Sequence, residues 1–108
     1  MNNIFNLPSS LPNKEIFESI ISTDNLLIER IISTGQSTPP GEWYDQDQDE
    51  WVILLQGEAT LAYTDGSEIR LTAGDYLFIP NHQKHRVEYT SSEPPCIWLA
   101  IHGEMKNI

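Results

Sequence analysis

Basic residues are scarce in this chain. Six Lys and Arg stand against 16 Asp and Glu among 108 residues, for a formal charge of −10. Such a surface repels phosphate backbones and anionic headgroups, so neither nucleic acid nor membrane is an expected partner. Cysteine is nearly absent. With Cys96 alone there can be no internal disulfide, and its place before Ile97-Trp98-Leu99 marks a buried small residue rather than a catalytic thiol. No apolar stretch approaches the ~20 residues of a membrane span. The opening Met1-Asn2-Asn3-Ile4-Phe5 lacks the basic start and apolar run of a secretory leader, which points to the cytoplasm. A glycine-rich cofactor-binding loop is missing as well.

Turn formers and β formers are what the chain does contain. Seven Pro and six Gly in so short a sequence imply many turns, and three Trp with four Tyr favour strands. Residues 1–14, with Leu7-Pro8 and Leu11-Pro12, read as an extended arm whose two leucines can dock on the body. Residues 15–22 fit either a short helix (Ile16 with Ile20, Phe17 with Ile21) or a strand. The turn at Thr23-Asp24-Asn25, leading into the β-branched run 26–33, favours the strand. Thr38-Pro39-Pro40-Gly41 is a break. Trp51-Val52-Ile53-Leu54-Leu55 has both faces apolar, as in a strand covered on both sides, and stops at Gly57. Strands are expected at 59–64, 67–71, 76–79, 85–89 and 97–102. Asp65-Gly66 signals a two-residue hairpin. Turn signals recurring about every ten residues predict one all-β, antiparallel domain over 15–108.

Two spaced motifs carry a resemblance. Glu50 and Gly57 bracket six residues, and Gly74, Pro80 and His85 follow at glycine–five residues–proline–turn–histidine spacing. In this order and separation the segment 41–87 resembles the cupin superfamily, in particular small single-domain bacterial cupins. The resemblance implies an antiparallel double-stranded β-helix, the jelly-roll barrel, with Glu50 and His85 on neighbouring strands pointing inward. It also implies a metal pocket, and here the sequence departs from the family. Metal-dependent cupins carry His-x-His shortly before the glutamate. Those positions hold Tyr44 and Gln46, or Trp43 and Asp45.

Transition metals want three or four N, O or S donors, usually with imidazoles among them. The resemblance leaves Glu50 and His85 as candidate ligands for one divalent transition metal, with Gln46 a weaker oxygen donor. Without metal, Glu50 and His85 make a carboxylate–imidazole pair able to bind a polar ligand or move a proton. The expected pocket comprises Tyr44, Gln46, Glu50, His85 and Tyr89; Tyr89 is included because it shares the parity of His85 and Val87. Arg86 and Glu88 take the opposite parity and read as a surface pair. His82 reads as an exposed turn residue. His102 is a further ligand if it shares the inward face of Trp98 and Ala100, and otherwise an exposed or hydrogen-bonded strand end. The run Asp45-Gln46-Asp47-Gln48-Asp49 opens like a calcium loop, but Glu50 and Gln56 occupy positions that need Gly and Glu. The expected function is small-molecule binding with a degenerate metal site; the alternative is a metal- or acid–base-dependent enzyme, isomerase- or dioxygenase-like, acting on a small polar or carbohydrate-like substrate. Small cupins commonly pair, so a homodimer through strand 26–33 or the arm is expected.

Overall fold

The computed structural model describes residues 1–105. Eight strands follow in chain order: β1 (Ile16–Ser22), β2 (Leu26–Ser33), β3 (Asp49–Gln56), β4 (Glu58–Tyr63), β5 (Glu68–Thr72), β6 (Tyr76–Ile79), β7 (His85–Thr90) and β8 (Cys96–Gly103). Every pairing is antiparallel. Five strands form one sheet in the order β1-β2-β8-β3-β6, and three form another in the order β5-β4-β7. Of the ambiguous residues 15–22, all but Glu15 are therefore strand, as the following turn suggested. The last three residues of the expected domain, 106–108, lie outside the described residues.

Period-2 alternation explains the core. Val52 and Leu54 of β3, Trp98 and Ala100 of β8 and Ile79 of β6 meet Ala59 and Leu61 of β4 and Leu71 of β5 in one buried cluster. Cys96 belongs to that cluster and is fully buried, with its Sγ donating to the Glu58 carbonyl at 3.2 Å. The outward residues of the same strands, such as Trp51, Ile53 and Leu55, are only half-buried.

Strand β2 is not an edge: β1 and β8 pair with its two sides. The N-terminal arm crosses its outer face, where the Arg30 guanidinium donates to the carbonyls of Ile4 (3.0 Å) and Asn6 (2.5 Å) and bonds Glu18 (2.6 Å). Five donors in a rigid fork let one arginine clamp both the arm and β1.

The two glycines that end and begin the sequence motifs do different jobs. Gly57 has φ +94°, and a Cβ there would lie 2.8 Å from Ser91 Oγ and 2.9 Å from Cys96 Sγ. Only glycine combines that backbone with that clearance. Gly74 (φ +96°) faces open space, but its N–H donates to the Leu54 carbonyl at 2.7 Å, fastening the β5–β6 turn to β3. The expected two-residue hairpin is one residue longer. Gly66 has positive φ (88°) and Asp65 does not, and Gly66 N–H reaches the Tyr63 carbonyl at 3.0 Å. This excludes the mirror-image turn, which needs both residues left-handed, and matches an ordinary turn closed by a left-handed glycine.

Replacing either motif glycine by alanine tests this account. Gly57→Ala is expected to cost about 2 kcal/mol or more, from strain plus overlap with Cys96, and Gly74→Ala about 1 kcal/mol from strain alone. Urea unfolding of both variants measures the difference; equal losses would contradict the close-approach role of Gly57.

Candidate functional site

The barrel leaves a cavity of about 90 Å³ between the sheets. Its walls are mainly apolar (Phe17, Ile31, Val52, Leu61, Ile79, Val87 and Trp98), and its polar groups are Glu15, Glu29, Tyr44, Gln46, Glu50, His85 and His102. The pairing of β3 with β8 sets Glu50 opposite His102, and both are inward and buried (7% and 8% exposed). His85, 5% exposed, enters from β7 of the facing sheet. Tyr44 lies outside any strand but bridges His85 through two backbone hydrogen bonds, of 2.7 and 3.1 Å. That bridge stacks its ring on the imidazole, with centroids 5.5 Å apart and planes at 23°. Gln46 is held nearby by its carbonyl, which accepts from His82 N–H at 2.8 Å.

Four of the five expected pocket residues are thus brought together. Tyr89 is not. β7 pairs Val87 with Leu61 and Tyr89 with Thr60, so Glu88 is an extra residue in a bulge. Beyond the bulge the alternation reverses: Thr90 turns in, and Tyr89 is 51% exposed and absent from the cavity wall. Simple parity counting could not see that insertion. His82 is an exposed turn residue at φ 62°, with Nδ1 2.9 Å from Asp45 Oδ1. Asp49 is structural. It accepts from the backbone N–H groups of Asn81 and Met105, and those bonds hold its carboxyl below the usual range.

Of the polar lining residues, Glu15 and Glu29 escaped the sequence reading, as did the Phe17 ring and most of the apolar wall. The signal for Glu29 was its parity with Ile31 on β2, which was legible only once that face was known to be inward. His102 does share the face of Trp98 and Ala100, and is also hydrogen-bonded, through Nε2, to Glu29 Oε1 at 3.0 Å.

Hydrogen bonding sets the imidazole tautomers. A carbonyl can only accept, so His85 Nδ1, 2.9 Å from the Gln83 carbonyl, carries the proton and the neutral ring keeps a lone pair on Nε2. By the same logic the Glu29 carboxylate takes the N–H of His102 Nε2, leaving Nδ1 as the lone-pair nitrogen. A second chain runs from Trp98 Nε1–H to Ser33 Oγ (3.2 Å) and from the Ser33 hydroxyl to Glu15 Oε2 (2.6 Å). Glu50 differs from Glu15 and Glu29: among the described residues its carboxyl has no hydrogen-bond partner. Burial pushes its pKa up, against the opposing pull of His102 and His85, and Glu29 adds to the rise. Burial likewise raises the Tyr44 phenol, helped by the charges of Glu15 and Glu50, so it stays a neutral donor.

The donor set does not fit a resident metal. Tyr44 and Gln46 stand where imidazoles would be needed, and His102 spends Nε2 on Glu29. No group of three His, Cys, Asp or Glu side chains among the described residues is placed to hold an ion.

The two motif segments and the barrel around them now decide the family. The family model for the cupin domain matches residues 30–102. The chain belongs to the cupin superfamily. No curated protein matches it. Among solved structures it is similar to a Ralstonia eutropha protein called a "putative mannose-6-phosphate isomerase", at 40% identity over 97% of this chain and 98% of that one, with TM-score 0.89. An RmlC-like cupin of Methanocaldococcus jannaschii shares the double-stranded β-helix fold at 15% identity (96% and 92% covered, TM-score 0.71). The polyketide cyclase RemF of Streptomyces resistomycificus shares it at 19% (87% and 68% covered, TM-score 0.69). The latter two likenesses concern the fold alone.

The Glu50 carboxyl makes a pH prediction. Its folded pKa lies above the unfolded reference of 4.5, so the native state binds the extra proton between those values and loses stability as pH rises through them. Glu50→Gln, which removes the charge, is expected to raise Tm at pH 7 by a few degrees, with the gain vanishing below pH 4.5. Thermal unfolding from pH 4 to 8 checks this; a variant less stable than the parent at pH 7 would reverse the sign. The donor set makes a second one. Protein prepared without added metal should contain well under one transition metal per chain, and chelation should leave Tm unchanged. Stoichiometric metal lost in both His85→Ala and Glu50→Ala would overturn the reading.

Proposed function

We propose that this cupin is a small-molecule-binding barrel whose ligand sits between the apolar walls and the polar end formed by Glu50, His85 and His102. The observation that carries the proposal is Glu50 itself. A carboxyl nine-tenths buried with no protein partner costs stability, and folds keep such groups where a ligand satisfies them. A mostly apolar cavity with a few convergent polar groups is the usual form of such a site. Its size suits a compact molecule rather than a disaccharide.

One feature also favours an acid–base enzyme, the second reading. Burial favours the protonated form of Glu50, and a neutral His85 has its lone pair on Nε2 at the same cavity, so a proton donor and a proton acceptor can flank one space. The name carried by the Ralstonia eutropha protein would make the substrate a phosphosugar. The cavity lining offers no Lys or Arg to a phosphate, which speaks against that substrate here.

Binding is tested by titrating a library of compact fragments and following amide NMR shifts. Shifts centred on β3, β7 and β8, weakened about tenfold in His85→Ala, are the expected result. Shifts confined to the outer surface would refute the pocket. Proton exchange from a carbon acid in the library, catalysed by the parent and lost in Glu50→Gln, would favour the enzyme.

A further inference from the structure

We propose that the pocket takes a small organic ammonium ion, a primary amine on a compact apolar body, with the nitrogen seated against Glu50. This rests on the pocket being a ligand site and adds the class of ligand.

Three observations carry it. The first is charge. Of the residues around the cavity three are carboxylates, Glu15, Glu29 and Glu50, and none is Lys or Arg. The second is which carboxylate is free. Glu15 accepts from Ser33 and Glu29 from His102, whereas Glu50 is buried, lines the cavity and has no partner among the described residues. The third is the sense of the remaining polar atoms. His85 faces the Gln83 carbonyl through Nδ1 and His102 faces Glu29 through Nε2, so the nitrogens left over, Nε2 and Nδ1, are acceptors whenever the rings are neutral. The cavity thus presents acceptors, the free Glu50 oxygens first among them. An ammonium group brings three N–H donors and the positive charge that the buried carboxylate lacks. A hydroxyl supplies one donor and no charge, and a phosphate supplies only acceptors. The aromatic rings of Phe17, Tyr44 and Trp98 in the wall suit both the apolar body and the cation beside it.

A matched series separates these chemistries: cyclohexylammonium, cyclohexanol and cyclohexyl phosphate, titrated calorimetrically into the intact protein at pH 7.5. The ammonium is expected to bind roughly tenfold or more tightly than the alcohol, with the phosphate weakest. In Glu50→Gln, shown folded by its unfolding transition, that preference should collapse to about twofold. Equal binding of ammonium and alcohol to the parent protein would overturn the ammonium assignment while leaving the pocket standing. Tightest binding by the phosphate would overturn it in favour of an anion site. Failure of all three to bind would overturn the pocket reading along with it. The parent series gives its answer even if the variant does not fold.

Discussion

The structure depends on one strand pairing, β3 against β8. That ladder sets Leu54 opposite Trp98, Val52 opposite Ala100 and Glu50 opposite His102. Its inward face is dry at one end and polar at the other. The facing sheet closes over the dry end with Leu61 and Leu71 and leaves room at the polar end, so core and cavity are one continuous surface. A one-residue slip would turn every one of these side chains outward. Gly57 follows β3 beside Cys96, the first residue of β8, and its missing side chain lets the two backbones approach there.

The polar end works against the dry end energetically. Apolar burial of this kind contributes about 25 cal/mol per Å², while each buried carboxyl loses hydration that must be replaced. Glu15 and Glu29 recover much of it through Ser33 and His102. Glu50 does not, and its raised pKa expresses the deficit. Its carboxyl instead faces the cavity, without a hydrogen-bond partner among the described residues.

Much of this was legible in the chain, for reasons that can be named. Strands β3 to β8 announce themselves because Gly and Pro punctuate β-branched runs at strand length. Glu50 and His85 were legible through their spacing to Gly57, Gly74 and Pro80, since each of those residues answers to a local backbone demand. Tyr89 was misplaced because the bulge at Glu88 arises from pairing with β4, and nothing within 85–90 reveals it. Glu29 was passed over because a charged residue in mid-strand faces water or a pocket according to what lies across the sheet. Its partner His102 is 73 residues away.

By itself, the sequence determined the class of protein: an acidic, disulfide-free all-β chain, with turns and strands in cupin order and no His-x-His pair to complete a metal site. Those properties follow from local backbone preference and composition, which act within a few residues. Tertiary structure alone decided which carboxylates are satisfied, which imidazole nitrogen is free and where the alternation on β7 reverses. Apart from the His85 bond to Gln83, two residues away, these depend on contacts between strands distant in sequence, and so on the fold being closed.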